Sequence, residues 1–498
     1  MLTDRRARAR RGLGAFMLGA VILTAVGLAS SRAAAQPVPP AAHEDDSFDI
    51  MNELSDRGLH DIHDESWNVY GQYTYITSYK PRMHAPYTNV NGSPNSLWPQ
   101  AERGFTSTFT VFGALRLWSG AEAYVVPELI AERAFSTLHG LGGSTENFEL
   151  QKTGAESPTL YRSRLFVKQT INLGGQHVEK TSDPMQLAAV VDSRRLVVTI
   201  GNFSVLDVFD RNVTVGDLRQ TFFNEAFMTH ASFDFAADAR GYTYGASAEL
   251  YLGDWALRFG RFAPPKNPNS YPLDVRLWKH FGDQLEIEHD HVVLGRPGAI
   301  RVLAYRNYEV IGRFDDAIAA QERDPTHNAA ACTDYNYGSG NFSAPDFCWV
   351  RRPQVKVGIG INAEQSIAEG IGVFARAMYS DGRTEVDAFD SADRDFSIGV
   401  VAKGKLWRRP LDFTGVGVAA TWISNSHARY LARGGIDAFV GDGRLDRHGP
   451  EELVEGFYSF NLFKAIWLAG DYQFLKNPAY NPDRGPEHVL SGRIHAEF

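Results

Sequence analysis

Connections between strand-like segments alternate in length along this chain, and no other feature narrows its fold so far. About 16 segments read as strands, starting near Trp67, Phe105, Ala121, Leu160, Arg195, Gly241, Asp254, Gln284, Ile300, Gln354, Gly370, Arg394, Asp412, Glu452, Ala465 and His488. Counted from the first, the odd connections are long, covering 79–104, 134–159, 204–240, 264–283, 311–353, 381–393, 424–451 and 476–487. Most even ones are tight: Ser119-Gly120, Gly253, 294–299, Ala368-Glu369, 405–411 and Lys464, with 172–194 the exception. A soluble β-sandwich has no reason to alternate in this way. A bacterial outer-membrane barrel does, with an even number of antiparallel strands, short periplasmic turns and long extracellular loops.

The side-chain period agrees. In the last eleven residues Leu490, Gly492, Ile494, Ala496 and Phe498 share one face, and Ser491, Arg493, His495 and Glu497 share the other. Val355, Val357, Ile359 and Ile361 likewise oppose Lys356, Asn362 and Glu364, and Ile466, Leu468, Tyr472 and Phe474 oppose Asp471 and Gln473. Lipid offers the backbone no hydrogen bonds, so such a sheet must close on itself with its apolar face outward. The fold expected is therefore an all-β transmembrane antiparallel β-barrel. About 16 strands leave a water-filled lumen into which the charges point. Arg301 and Arg306 have opposite parity, which calls for a bulge or for one of them to lie beyond the bilayer. His289 and His291 face outward, opposite to Glu288 and Asp290.

The N-terminus reads as a secretory signal over 1–35. Arg5, Arg6, Arg8, Arg10 and Arg11 precede an apolar run from Leu13 to Leu28, and Ala33-Ala34-Ala35 offers a cleavage site. Residues 36–66 form a periplasmic segment in which Phe48, Met51, Leu54, Leu59 and Ile62 recur at roughly helical spacing, and 67–498 form the barrel. Mean hydropathy is −0.27, too polar for a helical membrane protein and suitable for strands that need only half their residues apolar. Without the leader's six Arg and Asp4, 44 basic residues face 58 acidic ones, a net charge of −14. Such a chain lacks the electrostatic footprint of a nucleic-acid binder. Cys332 and Cys348 lie close together in one loop of an exported chain, which suggests a local disulfide. His60-x-x-His63 and His289-x-His291 lack a convincing third ligand, so no metal or other cofactor is expected. There is no G-x-S-x-G nucleophile elbow to suggest an enzyme.

Several segments resemble the carbohydrate-selective porin (OprB-like) family of Gram-negative outer membranes. They are Tyr161-Arg162-Ser163-Arg164-Leu165-Phe166-Val167-Lys168-Gln169-Thr170 followed by Leu173-Gly174-Gly175; the run from Gly201-Asn202-Phe203-Ser204 through Asp207 and Phe209 to Asn212; Ala237-Asp238-Ala239-Arg240-Gly241-Tyr242; Gly441-Asp442-Gly443; and Asn477-Pro478-Ala479-Tyr480-Asn481 with Asp483-Arg484-Gly485-Pro486. The resemblance runs from about Gly71 to Phe498. It implies a 16-stranded barrel, often a homotrimer, that lies in outer-membrane lipid and passes small sugars such as glucose passively. The loop holding Cys332 and Cys348 is not part of the resemblance.

A sugar-selective pore needs charged and amide groups for hydroxyls, aromatic faces for C–H surfaces, and binding weak enough for release. The third strand supplies Glu122, Glu128 and Glu132 on one parity with Tyr124, and the fourth supplies Arg162, Arg164 and Lys168 on one parity. An acidic column beside a basic one is expected to line the pore, with Glu128 and Arg164 nearest the narrowest point. Arg116, Arg258, Lys356, Glu364, Arg376, Lys403, Glu455 and Asp471 share lumen parity as weaker candidates. The alternatives are a barrel for another solute class, such as acidic sugars or aromatic acids, and an outer-membrane barrel enzyme.

Overall fold

The computed structural model describes residues 49–150, 155–326, 343–388 and 391–498; the leader read over 1–35 lies outside them. Its strands are β1 (Trp67–Lys80), β2 (Glu102–Trp118), β3 (Ala121–Arg133), β4 (Thr159–Asn172), β5 (His177–Lys180), β6 (Ala189–Asp192), β7 (Arg194–Phe203), β8 (Thr243–Leu252), β9 (Trp255–Phe262), β10 (Phe281–Val293), β11 (Arg296–Ile311), β12 (Arg352–Ala368), β13 (Ile371–Ser380), β14 (Arg394–Lys403), β15 (Phe413–Trp422), β16 (Glu451–Phe463), β17 (Ile466–Lys476) and β18 (Glu487–Glu497). Sixteen of them close an antiparallel barrel, and β5 and β6 form a separate hairpin. That hairpin accounts for the one long even connection: it is a small element of its own.

The ring closes between first and last strands, from Tyr79 opposite Leu490 to Gln72 opposite Glu497. Phe498 completes the seam. Its amide donates to the Gly71 carbonyl at 2.9 Å, the Gly71 amide donates back at 2.7 Å, and its ring stacks on Phe109. Glycine at 71 leaves room for that ring: a Cβ there would lie 2.2 Å from it, so a larger residue would have to displace Phe498.

The two faces separate as the bilayer requires. Leu285, Ile287, Val357, Ile359, Ile361, Leu468 and Ile494 are exposed on the outside, while Glu286, Lys356, Arg376, Gln473 and Arg493 are buried inside. Arg301 points inward and Arg306 outward with no shift in the β11 register, so Arg306 lies at the external end of the lipid face. His289 stacks on Trp255.

The lumen is not the open water column that strand number alone implies. Residues 204–242, between β7 and β8, fold inward and cross to strands on the far side of the ring. Phe222 packs against Phe227 (4.4 Å between ring centroids), Phe457 on β16 (4.9 Å) and Phe374 on β13 (5.7 Å). Asp210 pairs with Arg376 on β13 at 3.2 Å and takes a hydrogen bond from Asn362 on β12. Arg493 on β18 donates to the Leu218 and Thr221 carbonyls. The preceding loop joins it: the Phe148 amide donates to the Phe223 carbonyl, and the Glu225 amide to the Thr145 carbonyl. A second hydrophobic core thus sits inside the barrel, where membrane lipid cannot reach it.

At the short-turn end of the barrel a short helix, α1 (Ile50–Asp56), is capped by Asp49, whose carboxylate accepts the Met51 amide at 2.7 Å. Met51 is fully buried beside Tyr70, Phe112 and Val126. The connection around the β5–β6 hairpin tucks in beside it. Glu65 accepts from the Ser182 hydroxyl (2.6 Å) and the Ala188 amide (2.7 Å), and Tyr70 donates to Ser182. At the other end, helices α2 (Phe314–Arg323) and α3 (Asn425–Ala432) pack through Phe314, Tyr430 and Phe347. Cys348, next to Phe347, is disulfide-bonded; Cys332 lies outside the described residues.

Candidate functional site: the constriction

β3 and β4, which carry the expected acidic and basic columns, share an irregularity. Pro127 lies in mid-strand on β3 and cannot donate to the ladder. The register steps there, with Val126 opposite Arg164 but Pro127 opposite Arg162. Ser163 is the extra residue of a bulge, and its hydroxyl donates to the Val126 carbonyl at 2.8 Å. A bulge re-aims the side chains that follow it. Tyr161 and Ser163 point inward before it, and Arg164, Phe166 and Lys168 point inward after it.

Arg162 is the correction this forces. Equal parity along β4 would have put it in the lumen with Arg164, but it stands on the outer face, where its guanidinium donates to the exposed Tyr244 hydroxyl at 2.7 Å. The other six residues of the two expected columns lie on the lumen side, at different depths. Glu128 accepts from the Thr110 hydroxyl at 2.9 Å and from Tyr161. Arg164 makes a two-pronged pair with Asp207 (2.7 Å for both contacts) and lies over the Tyr242 ring. Nearer the periplasm, Lys168 pairs with Glu122 at 3.1 Å, lies 4.7 Å over the Tyr124 ring and donates to the Met185 carbonyl of the tucked-in connection. Tyr124 donates to Glu122 at 2.5 Å. Glu132 sits toward the external end of β3, buried beneath the loop that follows.

The inward loops supply the facing half of the site. Asp207 is held by its own capping box, accepting the Ser204 amide at 2.9 Å. Arg219 reaches Glu149 at 2.7 Å, joining the two loops. Arg240 lies between the Tyr161 and Tyr271 rings, at 4.7 and 4.3 Å. Burial alone would lower the Arg219 guanidinium, but Glu149 and Glu128 hold it above its ordinary range. Burial raises the Glu149 carboxyl against the pull of Arg219. Glu128 and Arg240 thus meet at the Tyr161 ring, Arg164 with its partner Asp207 lies over the Tyr242 ring, and Arg219 and Glu149 pair between the loops. The sequence signal for Asp207, Arg240 and Tyr242 was their place in the family-like segments. Arg219 and Glu149 had none, because only loop packing brings them together.

Such a cluster can accept and donate hydrogen bonds from fixed positions, offer ring faces, and hold little net charge. The carbohydrate-selective porin, OprB family, matches residues 112–498. The chain belongs to that family. A Pseudomonas putida OprB structure obtained at high pH aligns with TM-score 0.62 at 15% identity, over 90% of this chain and 96% of that one. The low-pH structure of the same protein aligns with TM-score 0.44 at 14% identity, over 90% and 95%. The outer-membrane channel DcaP of Acinetobacter baumannii aligns with TM-score 0.45 at 10% identity, over 87% and 97%. No curated protein sequence matches significantly. The protein is thus an OprB-family sugar porin of a Gram-negative outer membrane, with the porin barrel that its loop parity foretold.

Proposed function

We propose that small neutral sugars of the glucose type diffuse through this barrel and pause at the Glu128–Arg164 level. Family membership carries the solute class; the paired charges around Tyr161 and Tyr242 support the level. A sugar in transit accepts from Arg164 or Arg219, whose side chains stay partly exposed, and lays its C–H face on the Tyr161 ring, with the buried Glu128 and Glu149 holding these groups in place. Arg164 and Arg219 already have carboxylate partners, so the solute exchanges hydrogen bonds there instead of meeting a bare ion. This keeps its stay short, as conduction requires. The Lys168–Tyr124–Glu122 group forms a second contact point toward the periplasm. In the same reading, residues 1–35 are removed on export, 36–66 stay periplasmic, and three copies assemble as a trimer, as the family resemblance implies.

Single-channel recording in planar bilayers with added glucose tests this. Steady channels closing in three equal steps and blocked saturably by glucose are expected. Channels that glucose leaves unchanged, but that acidic sugars or aromatic acids block, would move the assignment to that solute class.

A further inference from the structure

The outer face carries an arrangement that sugar passage does not use. Across its middle it is apolar, with Leu165, Phe259, Val302, Ile359 and Ile398 exposed. At the external end, strand after strand turns to arginine. Arg103 lies beyond Phe105 on β2, Arg162 beyond Leu165 on β4, Arg261 beyond Phe259 on β9, Arg306 beyond Val302 on β11, and Arg394 beyond Phe396 on β14.

Aromatic rings interleave with them. Arg394 lies 4.9 Å over Tyr379, its partner in register, Arg261 and Arg306 flank the Phe281 ring at 3.9 and 5.7 Å, and Arg103 stands opposite Tyr79. Some arginines at this end do have carboxylates: Arg133 at the end of β3 pairs with Glu156 at 3.5 Å, and Arg352 at the start of β12 with Asp316 at 2.7 Å. Asp283 is in register with both Arg261 and Arg306, and Arg261 holds both its oxygens, at 2.7 and 2.8 Å. Among the described residues Arg103, Arg162, Arg306 and Arg394 pair with no carboxylate. This is notable in a chain with an excess of acid. The arc formed by β15 to β18 and β1 has no such arginine among the described residues.

A cation on the lipid face is costly at mid-bilayer and nearly free at the interface. These arginines sit where the cost fades, and where the solvent is the headgroup layer of the outer leaflet. Guanidinium groups match phosphate oxygens two-pronged, better than an ammonium does. We infer that the arc from β2 to β14 docks the phosphorylated glucosamine headgroups of the outer-leaflet glycolipid, the arginines taking the phosphates and the rings supporting the sugar and the acyl-chain ends. This surface is independent of the sugar pathway inside.

The test uses the full mature protein in phosphatidylcholine nanodiscs, with a bis-phosphorylated hexa-acyl diglucosamine lipid and its dephosphorylated counterpart as probes. Wild type is expected to bind the phosphorylated lipid at least tenfold more tightly. The variant carrying Arg103→Gln, Arg162→Gln, Arg306→Gln and Arg394→Gln should lose that preference, at about fivefold per arginine. Equal binding of both lipids by wild type, or a preference that survives in the variant, would overturn the inference. If the fourfold variant does not fold, the pairs Arg103→Gln/Arg394→Gln and Arg162→Gln/Arg306→Gln give the same reading at half the effect. Glucose block, recorded on the same preparations, reports on the pore separately, so either reading can fail alone.

Discussion

The two faces of this barrel wall are built under opposite constraints. On the outer face a side chain answers only to its solvent: Leu285, Ile287, Ile359 and Ile361 are exposed to lipid and need no particular neighbour. On the inner face each large polar side chain answers to a partner, often on a loop far away in sequence. Arg376 holds Asp210, Arg493 holds the 218–221 turn, and Glu455 accepts the amides of Phe223 and Asn224. The inner wall is thus a mould for the loop that folds into the lumen. A substitution outside should stay local, and one inside should travel through the loop to the channel.

Arg376→Ala should break that comparison open most. Its guanidinium and Asp210 are both almost fully buried, and removing one partner of a buried pair costs about 3–5 kcal/mol. Asn362 and Thr229 still hold Asp210, so the loop should loosen without leaving the lumen. The strand ladders are untouched, and the barrel should still form. Expected are channels with larger, noisier conductance and weaker glucose block, and an unchanged circular-dichroism β signature. Unchanged conductance would mean that the inner wall does not shape the loop.

Acidity should act on the same loops. Burial raises the Glu146 carboxyl to about 7, with Glu102 and Glu225 adding to the shift. Burial raises Asp217 as well, and Glu149 with it. A carboxyl held above its unfolded value near 4.5 gives its full stabilisation below that pH and loses it as pH rises toward 7. For Glu146 alone that is on the order of 3 kcal/mol. Asp210 is held low by Arg376 and His230 against its burial, so its contribution disappears only in strong acid. The inward loops should therefore be held most firmly near pH 4.5, and channel noise should grow between pH 5 and 8. Glu146→Gln should flatten that rise. A flat profile in wild type would remove the loops as its cause.

Much of this was legible because the bilayer writes it into the chain. Lipid enforces a period of two on the wall, so strand starts such as Trp67, Ala121 and Arg394 are readable without any tertiary information. No outside medium enforces a period on residues 204–242, whose partners lie on β12, β13, β16 and β18. Its visible clue was composition: Phe209, Phe222, Phe223, Phe227, Phe233 and Phe235 fall in one long connection. The β4 bulge had its clues too. Pro127 sits in mid-strand, and the outward apolar residues change parity between Leu160 and Leu165. Strict alternation ignored both and placed Arg162 inside. Arg219 meets Glu149 only because two loops fold together, and spacing carries no trace of that.

Arg162 and Arg164 bring the comparison down to two positions on one strand. Arg164→Ala removes a cation from the constriction and leaves Asp207 without its two-pronged partner. Charge-assisted bonds are worth about 1.5–3 kcal/mol, so glucose block should weaken about tenfold, and reversal potentials should shift toward cations. Arg162→Ala removes an identical side chain from the opposite face, where its described contact is the Tyr244 hydroxyl. Exposed substitutions of this kind usually change stability by less than about 0.5 kcal/mol. Conductance, ion selectivity and glucose block should match wild type, and only a share of the phosphorylated-lipid preference should go. Equal effects of the two variants on glucose block would place both side chains in the channel and remove the bulge from the account of the pore. A loss confined to Arg164→Ala would show that one extra residue, Ser163, decides which arginine the solute meets.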